Sequence, residues 1–261
     1  MSSLARIGAL VMRPLDSAVE MGTFITESVR TAWTERGPSD GIVLDVTLRQ
    51  IYFTGVQALK IVTVVALLLG GAVIIEAFTQ LPRVGGESAI GSILVVVVVR
   101  ELGPILTAII VIGRSGTAIS TEIGYMMVNS EMQAIAMMGI NPMRAVVLPR
   151  IVGVAAAIAC LSFYFNIVAL FGGYVFARFI VQYPFHRYIT DLSGALGFWD
   201  VAVSGIKCLL FGIIVAVVCC QRGFNVRFSF TEIPQATTSA VVTCLYLCFI
   251  VNMVITAFFY I

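Results

Sequence analysis

The stretch that decides the fold of this chain is I-V-G-V-A-A-A-I-A-C-L-S-F-Y-F-N-I-V-A-L-F-G-G-Y-V-F-A, from Ile151 to Ala177, which holds no charged residue. A helix needs about 20 predominantly apolar residues to cross the hydrocarbon core of a bilayer. Irregular backbone cannot face lipid, because its polar groups would have no partners there. The stretch is therefore predicted to form a transmembrane helix.

Four further stretches meet the same criterion: Ile61 to Leu81, Ser88 to Gly113, Val201 to Gln221 and Ala236 to Ile261. The whole chain is 59% apolar and 11% charged, whereas soluble domains average about 45–50% and 25%. A net charge of +2 without any basic run excludes nucleic acid as a partner. We predict an all-α membrane protein with five transmembrane helices.

Orientation is predicted from the arginines that flank these stretches, because basic residues collect on the cytoplasmic side. The more basic side would carry Arg6, Arg13, Arg30, Arg36, Arg49, Arg144, Arg150, Arg222 and Arg227. The amino end is then cytoplasmic and the carboxyl end periplasmic. The first 35 residues show neither a cleavable signal pattern nor the composition of a transit peptide, which favours a bacterial inner membrane.

The region 1–45 has a different pattern from the predicted spans. Its apolar residues, beginning with Leu4, Ile7 and Val11, recur at three- and four-residue steps, and charged residues fill the other face. Such an amphipathic helix is expected to lie in the membrane interface. A helix packed on a soluble partner is the alternative. The remaining region, 46–261, is predicted to be a single five-span domain.

Four charged residues lie at membrane depth: Glu76, Arg100, Glu101 and Lys207. A charge there costs about 2.5–3.5 kcal/mol on insertion scales, so such residues face a bundle interior or a wet cavity. Adjacent residues do not face each other on a helix, so Arg100 and Glu101 are expected to have separate partners. The charges indicate either a polar-lined cavity or a static ion-pair network that pins the helices together.

Two local patterns predict helix irregularities or ends. Gly103 and Pro104 are expected to break or kink the second span. Ser130 and Gln133 fit a capping box that would begin a short helix, which Gly139 and then a proline would end. Six of the ten methionines fall around this helix, at positions 126, 127, 132, 137, 138 and 143. Because methionine surfaces adapt to partners, the helix is predicted to dock a partner; a helical loop lying on the membrane is the alternative.

Two strings carry a resemblance to a known family. R-E-L-G-P-I-L-T-A-I-I-V-I-G-R-S-G-T-A-I-S-T-E-I-G, from Arg100 to Gly124, and A-I-A-M-M-G-I-N-P, from Ala134 to Pro142, resemble the signature of the MlaE/YrbE permease family. Lys207 and the Ala236-Thr237-Thr238 run fit the same family. The resemblance covers the chain from about residue 45 onward.

The resemblance implies a homodimeric permease of an ABC transporter in the bacterial inner membrane. It implies a separate ATPase that binds ATP and Mg, a periplasmic ring of MCE-domain proteins and, in some members, a small STAS-domain protein. The cargo would be glycerophospholipid moving between inner and outer membranes. The family's functional glutamate falls on Glu101 and its lysine on Lys207. The ATPase-coupling helix, at about 130–139, would include Ser130, Glu131, Met132, Gln133, Ala134, Met137 and Met138.

We further expect spans one, two and five to line a lipid cavity that opens to the periplasm. One face of span one would contact acyl chains, through Val73, Ile74, Glu76, Ala77 and Leu81. Arg100, Glu101 and Lys207 would serve the polar part of this cavity or couple it to closure.

Missing motifs argue against catalysis by this chain. It holds no Gly-Lys dipeptide and so no P-loop, and its single histidine, His186, excludes a multi-histidine metal site. We expect a transport subunit without a cofactor of its own. The alternatives are a stand-alone secondary transporter or ion channel, with Glu76, Glu101 and Lys207 as an ion relay, and a structural scaffold. The residues do not distinguish a phospholipid from a sterol-like cargo.

Overall fold

The computed structural model describes residues 40–81, 90–180, 182–227 and 229–260, together with Gly22 and Thr26, which are helical. Apart from these two residues and 40–45, the region 1–45, where the amphipathic helix is predicted, lies outside the described residues. A helix from Asp40 to Thr54 leads into the first span.

Helices make up all the regular structure in the described part of the chain. Five helical stretches are long and apolar enough to cross a membrane, which confirms the predicted number of spans. We call them spans one to five: Val43–Gln80, Gly91–Val128, Met143–Phe179, Phe198–Phe224 and Glu232–Phe259.

The α-helices run over Asp40–Thr54, Leu59–Gln80, Ile90–Leu94, Gly103–Val111, Thr117–Val128, Glu131–Met137, Leu148–Ile180, Phe185–Ala195, Phe198–Phe224 and Glu232–Tyr260. A 3-10 turn covers Val56–Ala58, and π-helical segments cover Val95–Leu102, Ile112–Gly116 and Met143–Val147. Two of the three π segments therefore lie inside span two.

Span two continues well past Gly113, where the sequence analysis ended it, because its polar residues find partners on neighbouring helices. The Arg114 guanidinium donates to the Phe53 carbonyl at 2.7 Å and to Gln57 Oε1 at 2.6 Å. Glu122 forms an ion pair of 2.9 Å with Arg150 of span three. These contacts satisfy side chains that hydropathy alone places in a loop.

Spans one and three pack closely because small residues meet at their interface. A Cβ atom at Gly70 would lie 2.2 Å from the Ala169 carbonyl oxygen, so only glycine permits this approach. A few residues along, the end of the Ile74 side chain occupies the space that a Cβ atom at Gly173 would need. Spans one and three are therefore in close contact at both of these positions.

Span four is the centre of the bundle and span five lies at its edge. Span four has the largest share of buried residues among the five spans, and span five has the smallest. Five of the six cysteines are buried, as predicted for small apolar residues, whereas Cys160 is exposed. The Cys219 and Cys244 sulfur atoms lie 3.8 Å apart where spans four and five meet.

The helix Phe185–Ala195 connects spans three and four and is tied to span three by Tyr188. The Tyr188 hydroxyl donates to the Leu170 carbonyl at 2.9 Å. Burial raises the pKa of the Tyr188 phenol, so the hydroxyl keeps the proton that this hydrogen bond requires.

Candidate functional site

The intramembrane charges of span two form two ion pairs with span four. Arg100 Nε lies 2.8 Å from Asp200 Oδ1, and Glu101 Oε1 lies 3.0 Å from Lys207 Nζ. The prediction that Arg100 and Glu101 have separate partners is confirmed. The four side chains sum to zero net charge, so the site presents no unbalanced charge to the hydrocarbon core.

The Glu101 carboxylate is the point where spans two, four and five meet. Besides Lys207, it accepts hydrogen bonds from Asn252 Nδ2 at 2.7 Å and from Thr256 Oγ1 at 2.8 Å, both on span five. Thr256 Oγ1 also accepts from Lys207 Nζ at 2.8 Å. We call Glu101, Lys207, Asn252 and Thr256 the Glu101 cluster. A change at any one of them alters the contact between three spans.

Lys207 is sealed within the protein, with a side chain that is 0% exposed. Its ammonium has three acceptors within hydrogen-bonding distance: the Glu101 carboxylate, Thr256 Oγ1 and, at 3.0 Å, the Arg100 carbonyl. An ammonium carries three N–H donors, so this set matches its capacity. In this conformation Lys207 holds the Glu101 cluster in place through hydrogen bonds from the protein interior, and its side chain does not line a cavity.

The Arg100 carbonyl accepts a hydrogen bond from Lys207, and the residue four positions later cannot donate one. In an α-helix the N–H at i+4 would donate to this carbonyl, but position 104 is proline and has no N–H. Lys207 Nζ supplies a donor from span four instead. Lys207, which is far from Pro104 in sequence, thus gives the Arg100 carbonyl a donor that the proline cannot provide.

Gly103 and Pro104 lie where the π segment Val95–Leu102 gives way to α-helix, and the helix continues through them without interruption. The Gly103 N–H donates to the Val98 carbonyl, which is the i+5 pattern of a π-helix. A Cβ atom at Gly103 would lie 2.0 Å from Asn166 Oδ1. In place of a break, the structure shows a change of helical hydrogen bonding and a close approach to span three.

Glu101 is the member of its cluster that combines full hydrogen bonding with access from outside. Its side chain is 31% exposed, whereas that of Lys207 is sealed. The carboxylate thus links the interior network to the open side of spans two and five. A molecule or partner that contacts the exposed part of the Glu101 carboxylate would therefore also affect its hydrogen bonds to spans four and five.

The predicted acyl-contacting face of span one is divided between interior and surface. Ile74 and Ala77 are buried within the chain, whereas Val73 and Leu81 are partly buried. Glu76 is exposed and accepts a hydrogen bond of 3.0 Å from Gln80 on its own helix. Acyl contact by this face stays a prediction.

The short cytoplasmic helix predicted from sequence spans Glu131–Met137, and its end at Gly139, with a φ of +76°, is confirmed. The predicted capping box is wrong. Ser130 adopts a left-handed conformation with a φ of +60° and makes no side-chain hydrogen bond to the helix. In that conformation the hydroxyl does not cap the first turn, as a residue with extended backbone would.

This helix has one buried and several exposed faces. Met132 is buried and belongs to the core cluster that also holds Met126, Met127 and Met143. Its exposed residues are Glu131, Gln133, Ala134, Ala136 and Met137, and Met138 just past its end is also exposed. Met137 and Met138 are 88% and 68% exposed, so the two most flexible apolar side chains of the helix have no partner within the described chain.

Three residues of the site were missed by the sequence analysis: Asp200, Asn252 and Thr256. Asp200 was available as an acidic residue at the start of a span, beside Trp199. Asn252 and Thr256 are polar residues one helical turn apart in the mostly apolar second half of span five, which is a signal that a polar partner faces them. Nothing in the sequence identified that partner as Glu101.

The fold and the site together define a polytopic helical membrane protein with a neutral, interhelical ion cluster and an exposed short helix between spans two and three. The family model described as Permease MlaE matches residues 47–258. The chain belongs to the MlaE permease family. It is accordingly a multi-pass transport subunit of the ABC permease class.

Individual relatives agree with this assignment. The chain is 30% identical over 219 residues to a probable ABC transporter permease of Rickettsia prowazekii, covering 84% of this chain and 85% of the relative. It is 29% identical over 206 residues to one of Synechocystis, covering 79% and 78%. It is 28% identical over 214 residues to the chloroplast protein TRIGALACTOSYLDIACYLGLYCEROL 1 of Arabidopsis thaliana, covering 82% of this chain and 61% of that protein.

Proposed function

We propose that this chain moves glycerophospholipid between the inner and outer membranes of a bacterium, as a homodimer energised by a separate ATPase. The observation that carries the proposal is the Glu101 cluster. It places a partly exposed carboxylate where three spans meet, in a network that any rearrangement of those spans must alter.

The exposed face of span five supports the homodimer. The side chains of this face are large and apolar: Val242, Tyr246, Phe249, Met253, Val254 and Phe258 are all exposed in the single chain. A second copy packed against this face would bring two Glu101 clusters toward one axis. The lipid cavity between the copies would then be walled by spans one, two and five, with Arg100 and Glu101 at its polar part.

The methionine surface of the short helix supports ATPase docking. Met137 and Met138 offer adaptable apolar contacts to a partner, while Met132 anchors the helix in the core between spans two and three. A push on the helix would therefore reach the spans directly. The ATPase would bind ATP and Mg, and this chain would convert its closure into a change of span packing.

Lipid as the cargo is supported by the family and by one relative's name. TRIGALACTOSYLDIACYLGLYCEROL 1 carries the name of a galactolipid, and this chain is similar to it over 214 residues. The proposed assembly includes a periplasmic ring of MCE-domain proteins, which would receive or deliver the lipid, and a STAS-domain protein on the ATPase.

The ion-relay alternative requires Glu76, Glu101 and Lys207 to exchange ions along one path. Glu76 is exposed and bonded to Gln80, and Lys207 is sealed with its donors used. This arrangement favours the lipid permease.

Reconstitution tests the proposal. The chain and its partner ATPase are placed in vesicles of phosphatidylethanolamine and phosphatidylglycerol, and movement of a fluorescent phosphatidylethanolamine to acceptor vesicles is measured. We expect movement that requires both chains and ATP. Ion flux driven by a gradient through this chain alone, without ATP-dependent lipid movement, would overturn the proposal.

A further inference from the structure

A cavity lies inside a single copy of the chain. None of its lining residues belongs to span five or to the Glu101 cluster. Its volume is about 310 Å³, and it is enclosed by span three, span four and the π segment of span two. Its walls are mostly apolar and include Val99, Phe163, Ile167, Leu170, Leu196 and Val201. Small-ligand sites have volumes of about 300–1,000 Å³, so this cavity has room for one slender molecule.

The entrance to the cavity faces hydrocarbon. Phe163 and Ile167 are exposed side chains in the middle of span three, and both line the cavity. A molecule that enters between them comes from the bilayer and not from water. The occupant must therefore partition into lipid.

Two polar residues that line the cavity each have a buried oxygen without a partner. Ser162 Oγ and Asn166 Oδ1 are buried without a hydrogen-bond partner, in residues that are 2% and 8% exposed. Ser162 lies beside the Cys208 thiol, which is only a weak hydrogen-bonding group. Ser162, Asn166 and Ser204 are the polar side chains of an otherwise apolar lining, a pattern that matches a ligand with one polar end.

The ligand that fits both properties is an acyl chain with a polar group at one end. The hydrocarbon would fill the apolar walls, and an ester would accept a hydrogen bond from the Ser162 hydroxyl. The Asn166 amide, whose Oδ1 lies against Gly103, would donate an N–H to the same ester. The volume lies at the lower end of the usual range, so it admits one chain and not a two-chain lipid.

We propose that this cavity binds one acyl chain of a membrane glycerolipid, with the ester group held by Ser162 and Asn166. The site would lie within each protomer and be distinct from the transport cavity between copies. Because Asn166 also lies against Gly103, a bound chain would contact the side chain that packs on the π-to-α junction of span two. The proposal does not depend on the proposed transport function.

Photolabelling tests the site directly. The purified full chain is placed in nanodiscs of phosphatidylethanolamine and phosphatidylglycerol that contain a trace of phosphatidylcholine with a diazirine in one acyl chain. After irradiation, labelled peptides are located by mass spectrometry. We expect the strongest adducts on residues 159–170 and 201–208, above those on the exposed face of span five.

Gly205→Phe fills the cavity and is the decisive variant. Gly205 lines the cavity, and a Cβ atom there would meet nothing within 4 Å, so the ring can enter without displacing backbone. Labelling of the two segments should fall about tenfold. The matched control is Ile206→Phe, which adds the same ring on the exposed face of the same helix and should leave labelling unchanged.

Two further variants keep the test independent of any one substitution. Ala159→Phe fills the cavity from span three and should reproduce the loss. Asn166→Leu removes the polar contact but not the walls, and should lower labelling about threefold, as expected for one hydrogen bond. Labelling spread evenly over all lipid-facing residues, or unchanged in both cavity-filling variants, would overturn the proposal.

Discussion

The side chains of the Glu101 cluster and those of the short helix Glu131–Met137 differ in whether they have partners within the chain. In the cluster, charged groups at membrane depth are matched with partners from three spans. On the short helix, apolar side chains outside the spans are left without partners in the described chain. The polar groups of the cluster bond to one another inside the fold, whereas the apolar side chains of the short helix are available to a binding partner. The comparison indicates that the cluster governs how the spans pack and that the helix governs what the chain binds.

The largest expected effect comes from Lys207→Met. It removes the cation beside Glu101 and the donor to the Arg100 carbonyl, leaving a largely buried carboxylate unpaired. Breaking such a pair costs about 3–5 kcal/mol. Thermal unfolding in detergent should show a large loss of stability, whereas Lys60→Met, at an exposed lysine, should show almost none.

A double variant sharpens this first prediction. Lys207→Met combined with Glu101→Gln removes both charges, so much of the lost stability should return. If the double variant is as unstable as the sum of the two single variants, the pair does not act as a unit and the description of the cluster fails.

The next effect concerns the short helix and should appear in binding, not in folding. Met137→Ser with Met138→Ser removes two exposed apolar contacts, so association with the ATPase should weaken about tenfold to a hundredfold. Stability should stay within about 0.5 kcal/mol, as for other surface changes. Co-purification measures the first quantity and thermal unfolding the second. Phe198→Ser, at an exposed aromatic outside this helix, is the control and should bind the ATPase normally.

A smaller effect is expected from Asp200→Asn. It removes the partner of Arg100, but the Arg100 side chain is 25% exposed, so solvent and headgroups can compensate in part. We expect a loss of about 1–2 kcal/mol, less than for Lys207→Met. Asp45→Asn is the control, because its ion pair with Arg49 is exposed on both sides. Equal losses in the two variants would contradict a structural role for Asp200.

The smallest effect is expected at Ser130. Its left-handed backbone is costly for any residue with a Cβ atom and free for glycine. Ser130→Gly should therefore raise stability by about 0.5–1 kcal/mol. Asn129→Gly, where φ is negative, should not. A loss of stability in Ser130→Gly would contradict this account and would support the predicted capping box, in which the Ser130 hydroxyl caps the helix.

The sequence predicted the five spans because hydropathy and helix length depend on local residues alone. It also predicted that Arg100 and Glu101 have separate partners, since that follows from helix geometry. It did not predict that span two continues to Val128, because the partners of Arg114 and Glu122 come from other spans. Hydropathy counts a polar side chain as a cost whether or not a neighbour satisfies it.

The cluster itself was half predicted for a related reason. Glu101 and Lys207 are conspicuous as charges in apolar stretches, whereas Asn252 and Thr256 become partners only through the rotation of span two relative to span five. The π segment Val95–Leu102 changes that rotation, and no residue type marks a π segment in a run of valines. The left-handed Ser130 was missed because Ser followed by Gln three residues later fits a cap equally well.

The most direct test of the account is lipid transport by the Lys207→Met, Glu101→Gln double variant, assembled with its ATPase in vesicles. Both charges are gone, so the chain should fold and bind the ATPase, yet ATP-driven lipid movement should be almost absent. Transport at the rate of the unchanged protein would show that the charges serve only to pin the spans together, and it would contradict the central claim.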